Sequence, residues 1–517
     1  MSRKKDFSEV CVLAEEFSHE NGILKRENNT IEPLPCTLLP SPVPAKLLRF
    51  VENIQADFNL LYHKVSLDHE FIESILKHVI PQDDYTAHLW KIYMNTRSEG
   101  VLQGVFLGLT RSDYMLHLDP AKERSNPTLA QRLLHTEQAS AFAPDFSGEN
   151  SWPNLSVRQV ELNFIATSFG GLAQRMVLQH RLALSLCGFP PSAGERVPDC
   201  SAGDKFADAL ALAQKIYQER RNELCGETGN GSSHPAVLTI VSEQEKNIYD
   251  QRVTLSCLLL RHPNIPILVR SFEQFQENSD RLKIDEKRRL FVDGEEIAVV
   301  YYRHGYTPEH FSNDEIWNVK YQLERSLAIK CPCIQYMLVN TKLIQAALTK
   351  PENLSRFVHP ASASYRNLLS TFAAQYPLSE KFGINSLDEI NRVVQKCLAN
   401  PHLYVLKPQR EGGGNNYFGE DVPRMLRSVF DNGVSESYVL MERLYPYVVE
   451  NYILNTPNST ERKKIVGELG IFGAFIGCGE KIFLNEQAGH LLRSKPVEAN
   501  EGGVAAGFGC LDSPFLV

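Results

Sequence analysis

Apolar positions along the chain change period several times, and each change marks an element. Between residues 45 and 98, Leu47, Leu48, Phe50, Val51, Ile54, Phe58 and Leu61 recur at helical spacing with polar residues between them. That interval predicts helices with one buried face. Val105, Phe106, Leu107, Gly108 and Leu109 form an apolar run, which predicts a short buried strand followed by Thr110 to Met115. Residues 157–164 alternate, as a half-buried strand does. Residues 172–224 return to a helical pattern. Beyond 234 the pattern becomes βα: strands at 236–241, 265–269 and 298–302, a helix opening at 245, and a hairpin around Asp293 and Gly294. A helix at 317–330 closes this module. Strands are expected at 403–406 and 467–473, with a strand from Tyr438 running into a connector at Leu444 and an extended segment at 490–495.

The breaks between these patterns divide the chain. Residues 1–40 are polar and then proline-rich, and read as an arm leading into the body. Residues 117–156 are rich in Ser, Pro, Asn and Glu and read as a surface insertion. The Gly- and Ser-bearing stretch at 225–233 reads as a linker. Three parts result: 1–225, 234–340 and 341–517. At 517 residues there is length for two or three domains. The formal charge of -8 argues against a nucleic-acid or anionic-membrane surface as main partner. The eleven cysteines are scattered without a CxxC pair, a reduced pattern. No run approaches the ~18 apolar residues of a membrane span, and the N-terminus lacks an apolar signal core. The cytoplasm is the expected compartment.

Chemistry concentrates after residue 403. Lys407 closes an apolar strand, Glu411 follows, and Gly412, Gly413, Gly414, Asn415 and Asn416 come next. Glycines let backbone N–H groups approach phosphate oxygens. Lysine supplies a point charge, and a glutamate can hold a bridging Mg²⁺. A Walker A loop has its glycines before the lysine, so this is a nucleotide site of another kind; a glycine-rich surface turn is the alternative. Arg111 follows a strand, where open α/β sheets place ligand contacts, and its fork suits a carboxylate; the alternative is a surface arginine paired to Asp113. Alternation puts Glu161 and Asn163 on one strand face, two hard-oxygen groups suited to Mg²⁺ or simply a polar edge. Lys246, Asn247, Gln251 and Arg303 sit where loops could hold an α-amino acid headgroup, or are solvated polar groups. Arg493 and Lys495 share a face and imply an anion between them. The glycine-alanine stretch at 501–507 is flexible enough to form a lid.

The stretch from Lys407 to Asn416 resembles the glycine-rich loop of eukaryotic-type glutathione synthetases, members of the ATP-grasp superfamily. The resemblance runs from about Pro40 to the C-terminus. It includes 58–66, 82–90, the segment Arg111 to Met115, and the strand and loop from Glu161 to Gly171. It implies an α/β (α+β) ATP-grasp fold with an inserted smaller α/β substrate-binding domain. It also implies ATP-dependent joining of γ-glutamylcysteine to glycine through an acyl phosphate.

Carried over residue by residue, it implies Mg²⁺ on Glu161, Asn163 and Glu411. ATP would meet Glu161, Lys342, Lys407, Glu411, Gly412, Gly413, Gly414, Asn415, Asn416 and Phe418, then Met441, Glu442, Arg443 and Leu444 at the adenine connector, and Glu468, Lys495 and Glu501. The substrates would meet Arg111, Ile165, Ala166, Thr167, Ser168, Glu245, Lys246, Asn247, Gln251, Arg303, His304, Gly305, Tyr306, Arg493, Val504 and Ala505. Arg111, Lys407, Arg493 and Lys495 carry the charge stabilisation of the reaction. The family more often has serine at position 166 and tyrosine at position 418, so two hydroxyl contacts are absent here. A homodimer is implied, with small molecules as the other partners and neither nucleic acid nor membrane. The other readings are an ATP-grasp ligase for a different acceptor and a non-catalytic nucleotide-binding homologue.

Overall fold

The computed structural model describes residues 7–118, 155–225, 234–408, 416–456, 461–499, 504, 507 and 509–517. The insertion core, the linker, most of the glycine-rich loop and most of the lid lie outside them. The strands run in chain order as follows. β1 (Leu24–Glu27) and β2 (Thr30–Pro33) form a hairpin, followed by β3 (Cys36–Thr37), β4 (Ser41–Val43), β5 (Phe106–Leu118) and β6 (Leu155–Asn163). The central module holds β7 (Ala236–Ile240), β8 (Ile267–Arg270), β9 (Leu282–Ile284), β10 (Leu290–Val292), β11 (Glu295–Tyr302) and β12 (Ile329–Cys331) in one sheet. A four-stranded sheet contains β13 (Gln375–Pro377), β14 (Tyr404–Pro408), β15 (Tyr417–Phe418) and β16 (Tyr438–Glu442). The C-terminal part adds β17 (Val448–Leu454), β18 (Arg462–Cys478), β19 (Lys481–Pro496), β20 (Cys510–Asp512) and β21 (Pro514–Leu516).

The central sheet has seven strands in the order β17-β3-β20-β19-β18-β5-β6. One face packs on the helix Ala45–Leu67, whose Leu48, Val51, Ile54, Phe58 and Leu61 are buried as the helical period requires. Phe206 and its neighbours on the helices Gly170–Leu186 and Ala202–Cys225 pack on the apolar part of the other face. In the four-stranded sheet, Leu406 and Leu440 pack with Ile390, Val393, Leu426 and Val429 of the helices Leu387–Ala399 and Asp421–Asp431. The opposite face carries Lys407, Met441 and Phe418, in register with one another through Val405 and Val439.

Several sequence expectations change. The strand expected at 105–109 continues to Leu118, because Thr110, Arg111, Ser112 and Asp113 are buried in paired form rather than exposed in a loop. Residues 1–40 are not only an arm. The helix Phe7–Glu20 buries Val10, Cys11 and Ala14 in the main core, and β3 joins the central sheet. The helix expected at 317–330 spans Asp314–Arg325, because Asn313 caps it through Ile316 N–H and Ser326 is extended. The last five residues of the expected helix instead lead into β12. The Asp293-Gly294 hairpin holds, with both residues at positive φ, 50° and 89°.

Candidate active site

Strand register assembles a charged stripe across four strands. Asn163 lies opposite Arg111, Glu161 opposite Asp113, Asp113 opposite Gly470, and Glu468 opposite Arg493. Directly opposed residues share a face, so these side chains meet. Arg111 donates from Nε to Asp113 Oδ1 at 2.6 Å and from Nη2 to Asp113 Oδ2 at 2.8 Å. The same Oδ2 accepts from Arg493 Nη2 at 3.0 Å and from Asn163 Nδ2 at 3.1 Å. Arg493 also pairs with Glu468. Asn163 Nδ2 reaches Glu161 Oε1 at 3.2 Å. Arg111 is thus a buried arginine within a strand, and its pairing with Asp113 is internal rather than on the surface.

Three carboxylates and two guanidiniums share this space, and their electrostatics are mutual. Burial pushes Glu468 above the usual carboxylate range, and Asp113 and Glu161 add to this against the pull of Arg493 and Arg111. Burial alone would lower Arg493, but Glu468, Asp113 and Glu161 more than offset it and hold the guanidinium charged. The anion expected beside Arg493 is therefore already supplied in part by protein carboxylates. Arg493 Nε is buried without a hydrogen-bond partner among the described residues.

The loop after β6 is tied to this stripe. Arg111 Nη1 donates to Ser168 O at 3.1 Å, and Thr167 Oγ1 donates to Leu109 O at 3.1 Å. Ala166 and Phe169 take positive φ, 49° and 74°, a conformation that side chains rarely adopt outside functional turns. Asp250 closes the loop. Its carboxylate accepts from the N–H groups of Phe169 (2.8 Å), Gly171 (2.9 Å) and Leu172 (3.2 Å), capping the helix Gly170–Leu186. Gly171 has no room for a side chain: a Cβ would lie 2.7 Å from Val253 Cβ.

Arg303 extends this contact to the central module. It donates to Thr167 O at 2.8 Å and to Asp250 Oδ2 at 3.1 Å. Asn247 Nδ2 lies 3.4 Å from the same Asp250 oxygen, and Gln251 is buried one helical turn on. His304 packs against His310 with the rings tilted and centroids 3.9 Å apart, and burial with that neighbour lowers its pKa to about 4, so the ring is neutral near pH 7. Gly305 takes φ 90° under Phe272, and its carbonyl accepts from Tyr85. Tyr306, Ile165, Tyr85, Pro308, Met337 and Thr341 line one cavity of about 40 Å³. One residue expected here faces elsewhere: Lys246 pairs with Glu27 at 2.7 Å. Glu245 accepts from Asn247 N–H at 2.8 Å, and its carboxylate acts electrostatically on both Arg303 and Tyr306.

The nucleotide-side residues approach from the C-terminal half. Phe164 N–H donates to Asn340 Oδ1 at 2.8 Å, and Leu162 N–H to Gln345 Oε1 at 3.2 Å. These bonds bring Lys342, at the start of its helix, beside the Glu161–Asn163 strand end. The connector after β16 runs against β5: Leu118 N–H donates to Tyr445 O, and Tyr447 N–H to Leu116 O. Met441 is buried, Glu442 is exposed, Leu444 is half-buried, and Arg443 stacks over the Phe418 ring at 5.6 Å. Lys407 sits on β14 opposite Val439, and Lys495 on β19 opposite Val466. Asn416 borders β15, and Val504 is buried in the main core. Glu411, Gly412, Gly413, Gly414, Asn415, Glu501 and Ala505 lie outside the described residues.

Sequence reasoning missed Asp113 and Asp250 as site residues. Asp113 carried a signal, a carboxylate two positions from Arg111 and hence on the same strand face. Asp250 carried none, since it lies beyond a linker from the loop it holds.

The two sheets, the lysines on their strands and the acid-bearing stripe between substrate loop and connector define an ATP-grasp ligase. A family model described as "Eukaryotic glutathione synthase, ATP binding domain" matches residues 4–516. A glutathione synthetase of Bos taurus is 37% identical over 99% of this chain and 98% of its own length. One of Homo sapiens is 36% identical with the same coverage, and a chloroplastic one of Arabidopsis thaliana is 33% identical over 93% of this chain and 78% of its own. The chain belongs to the eukaryotic glutathione synthase family. The solved structure of a glutathione synthetase-like effector from Globodera pallida, in apoform, shares the fold, with a TM-score of 0.73 over 99% of this chain at 22% identity.

Proposed function

We propose that the chain joins γ-glutamylcysteine to glycine at the expense of ATP, releasing ADP and phosphate. A carboxylate does not acylate an amine in water. The substrate carboxylate oxygen therefore attacks the γ-phosphorus, ADP leaves, and an acyl phosphate forms. The glycine amine then attacks the acyl carbon, the C–O bond to phosphate breaks, and the amine proton passes to solvent or to the departing phosphate. The protein's contribution is positioning and charge neutralisation. Arg111 grips the dipeptide and Arg493 the glycine carboxylate, while Lys342, Lys407 and Lys495 face the phosphates. The Asp113-linked pair of arginines beside Glu161 and Asn163 carries this reading: two carboxylate-binding forks meet two hard-oxygen donors.

Glu161 and Asn163, with Glu411, would hold Mg²⁺. The fit is good on the described pair, whose side chains touch and offer carboxylate and amide oxygens. The ion would neutralise phosphate charge as it builds. The reading extends to a homodimer, which rests on the family resemblance, and to the cytoplasm, which rests on the scattered pattern of the cysteines, unpaired among the described residues.

The test is ADP release by the purified chain. ADP should appear with γ-glutamylcysteine, glycine and Mg·ATP together, and EDTA should abolish it. ADP release that ignores both substrates, or that needs another acceptor in place of glycine, overturns the reading.

A further inference from the structure

We propose that Asp113 is a positioning residue that aims Arg111 and Arg493 together, so that both substrate carboxylates depend on one buried side chain. The inference rests on the ligase reading above. Asp113 is fully buried in the middle of β5. Its two oxygens take four hydrogen bonds, from Arg111 Nε and Nη2, Arg493 Nη2 and Asn163 Nδ2. With no exposure and every contact on protein donors, it does not touch substrate and acts through its neighbours.

The geometry explains the aim. A guanidinium presents five N–H groups in a rigid planar fork. Asp113 occupies the Nε/Nη2 edge of Arg111, which leaves the Nη1/Nη2 edge to point away from it. Ser168 O takes one N–H of that edge at 3.1 Å, and the rest remains for a ligand carboxylate. Arg493 is held differently. Its Nη2 is divided between Asp113 and Glu468, while buried Nε has no partner and Nη1 makes no hydrogen bond among the described residues. An unpaired buried donor costs free energy until a ligand satisfies it. Gly470 forms the floor. A Cβ there would lie 2.8 Å from Arg111 Cδ and 3.0 Å from Asp113 Oδ1, so the strand leaves space for this arrangement and no more.

The experiment compares the full chain with Arg111→Lys, Arg493→Lys and Asp113→Asn, measuring KM for both substrates, kcat, and ADP affinity by calorimetry. Arg111→Lys should raise KM for γ-glutamylcysteine, and Arg493→Lys KM for glycine. Asp113→Asn should raise both by tenfold or more, with ADP affinity within threefold of wild type. A purely structural Asp113 would instead lower the active fraction, seen in kcat, and leave both KM values of the surviving enzyme in place. Should Asp113→Asn fail to fold, Asp113→Glu keeps the charge, displaces the carboxylate and reads the same joint rise. If the arginine variants behave as stated but Asp113 variants move neither KM, or only one, the proposal is overturned. If the arginine variants move neither KM, the ligase reading falls, and the proposal with it.

Discussion

Glu468 and Arg493 lie directly opposite each other in the β18–β19 register, and their side chains form an ion pair. Burial, then Asp113 and Glu161, raise the Glu468 pKa while Arg493 opposes them. A raised carboxyl takes up its proton closer to neutrality than an ordinary glutamate, so falling pH discharges Glu468 early and strips Arg493 of one counter-charge. Glu468 is itself proposed to accept from the nucleotide, and its protonated form is the weaker acceptor, so KM for ATP should rise as pH falls below neutral. Glu468→Gln, which cannot ionise, should show a high KM throughout and lose that acid limb. Parallel KM profiles for the two proteins would refute the assignment.

Asp512 makes a separate pH prediction, for stability. It is buried and binds Ser41 Oγ and Ser494 Oγ at 2.6 Å, yet burial pushes its pKa up to about 6. The folded state holds this proton more tightly than the unfolded chain does. Stability from this group is therefore present below the ordinary carboxylate range and is lost as pH rises to about 6. The full effect is at most about 3 kcal/mol. Urea unfolding at pH 4 to 7 should show wild type falling relative to Asp512→Asn across that window. Curves that stay parallel would mean that Asp512 ionises normally.

Gly470→Ala should fold less stably and bind poorly. The new Cβ meets Arg111 Cδ at 2.8 Å, and Arg111 is locked to Asp113 on one side and Ser168 on the other. Overpacking costs roughly 1–3 kcal/mol. A forced shift of Arg111 should also raise KM for γ-glutamylcysteine about tenfold or more, since misplacing a positioning group by an ångström is costly. Thermal melts and initial-rate kinetics on one preparation separate the two effects.

The parts of this fold written in apolar spacing were legible. The helix Ala45–Leu67, the hairpin at Asp293-Gly294 and the strand before Lys407 all follow from period or turn chemistry. What the pattern hid was buried polarity. The strand containing Arg111 reads as ending at Leu109 because Thr110 to Asp113 look like loop, and they are interior because Arg111 and Asp113 neutralise each other. The charges of the site were visible as residues, and family resemblance assigned them roles. Beyond the Arg111–Asp113 pair their pairing was not, because the register joins β5 and β6 to the β18–β19 hairpin, which lies far along the chain. Lys246 shows the converse, a plausible loop lysine whose partner Glu27 sits on a hairpin within a segment read as an arm.

Shortening the insertion should leave the enzyme intact. β5 and β6 pair antiparallel up to Leu118 opposite Leu155, so the chain leaves and re-enters the sheet at adjacent positions. A short turn can close that gap, and loop length itself contributes little to stability. Replacing 122–152 with a short Gly/Ser linker should change the melting temperature by no more than a few degrees and keep kcat. A large fall in kcat with the fold preserved would show that the segment completes the active site.

The acceptor's length is the last point the site should decide. Glycine and β-alanine differ by one methylene between amine and carboxylate. If Arg493 holds the carboxylate, its position is set by Asp113 at 3.0 Å and by Glu468 across the strand pair, and neither partner has slack. The longer acceptor must then either carry its amine past the acyl carbon or pull Arg493 off two carboxylates. One methylene is worth about 1–3 kcal/mol of discrimination in an enzyme pocket. Glycine should therefore be preferred over β-alanine by tens- to hundreds-fold in kcat/KM, with measurable use of β-alanine at high concentration. Arg493→Lys, with a shorter and more flexible point charge in place of the rigid fork, should narrow that preference as well as weaken binding. Competition between equal concentrations of the two amines, with products resolved by mass, gives the ratio directly. Equal use of both by the wild-type chain would show that Arg493 does not fix the acceptor carboxylate, even if ADP release still required γ-glutamylcysteine.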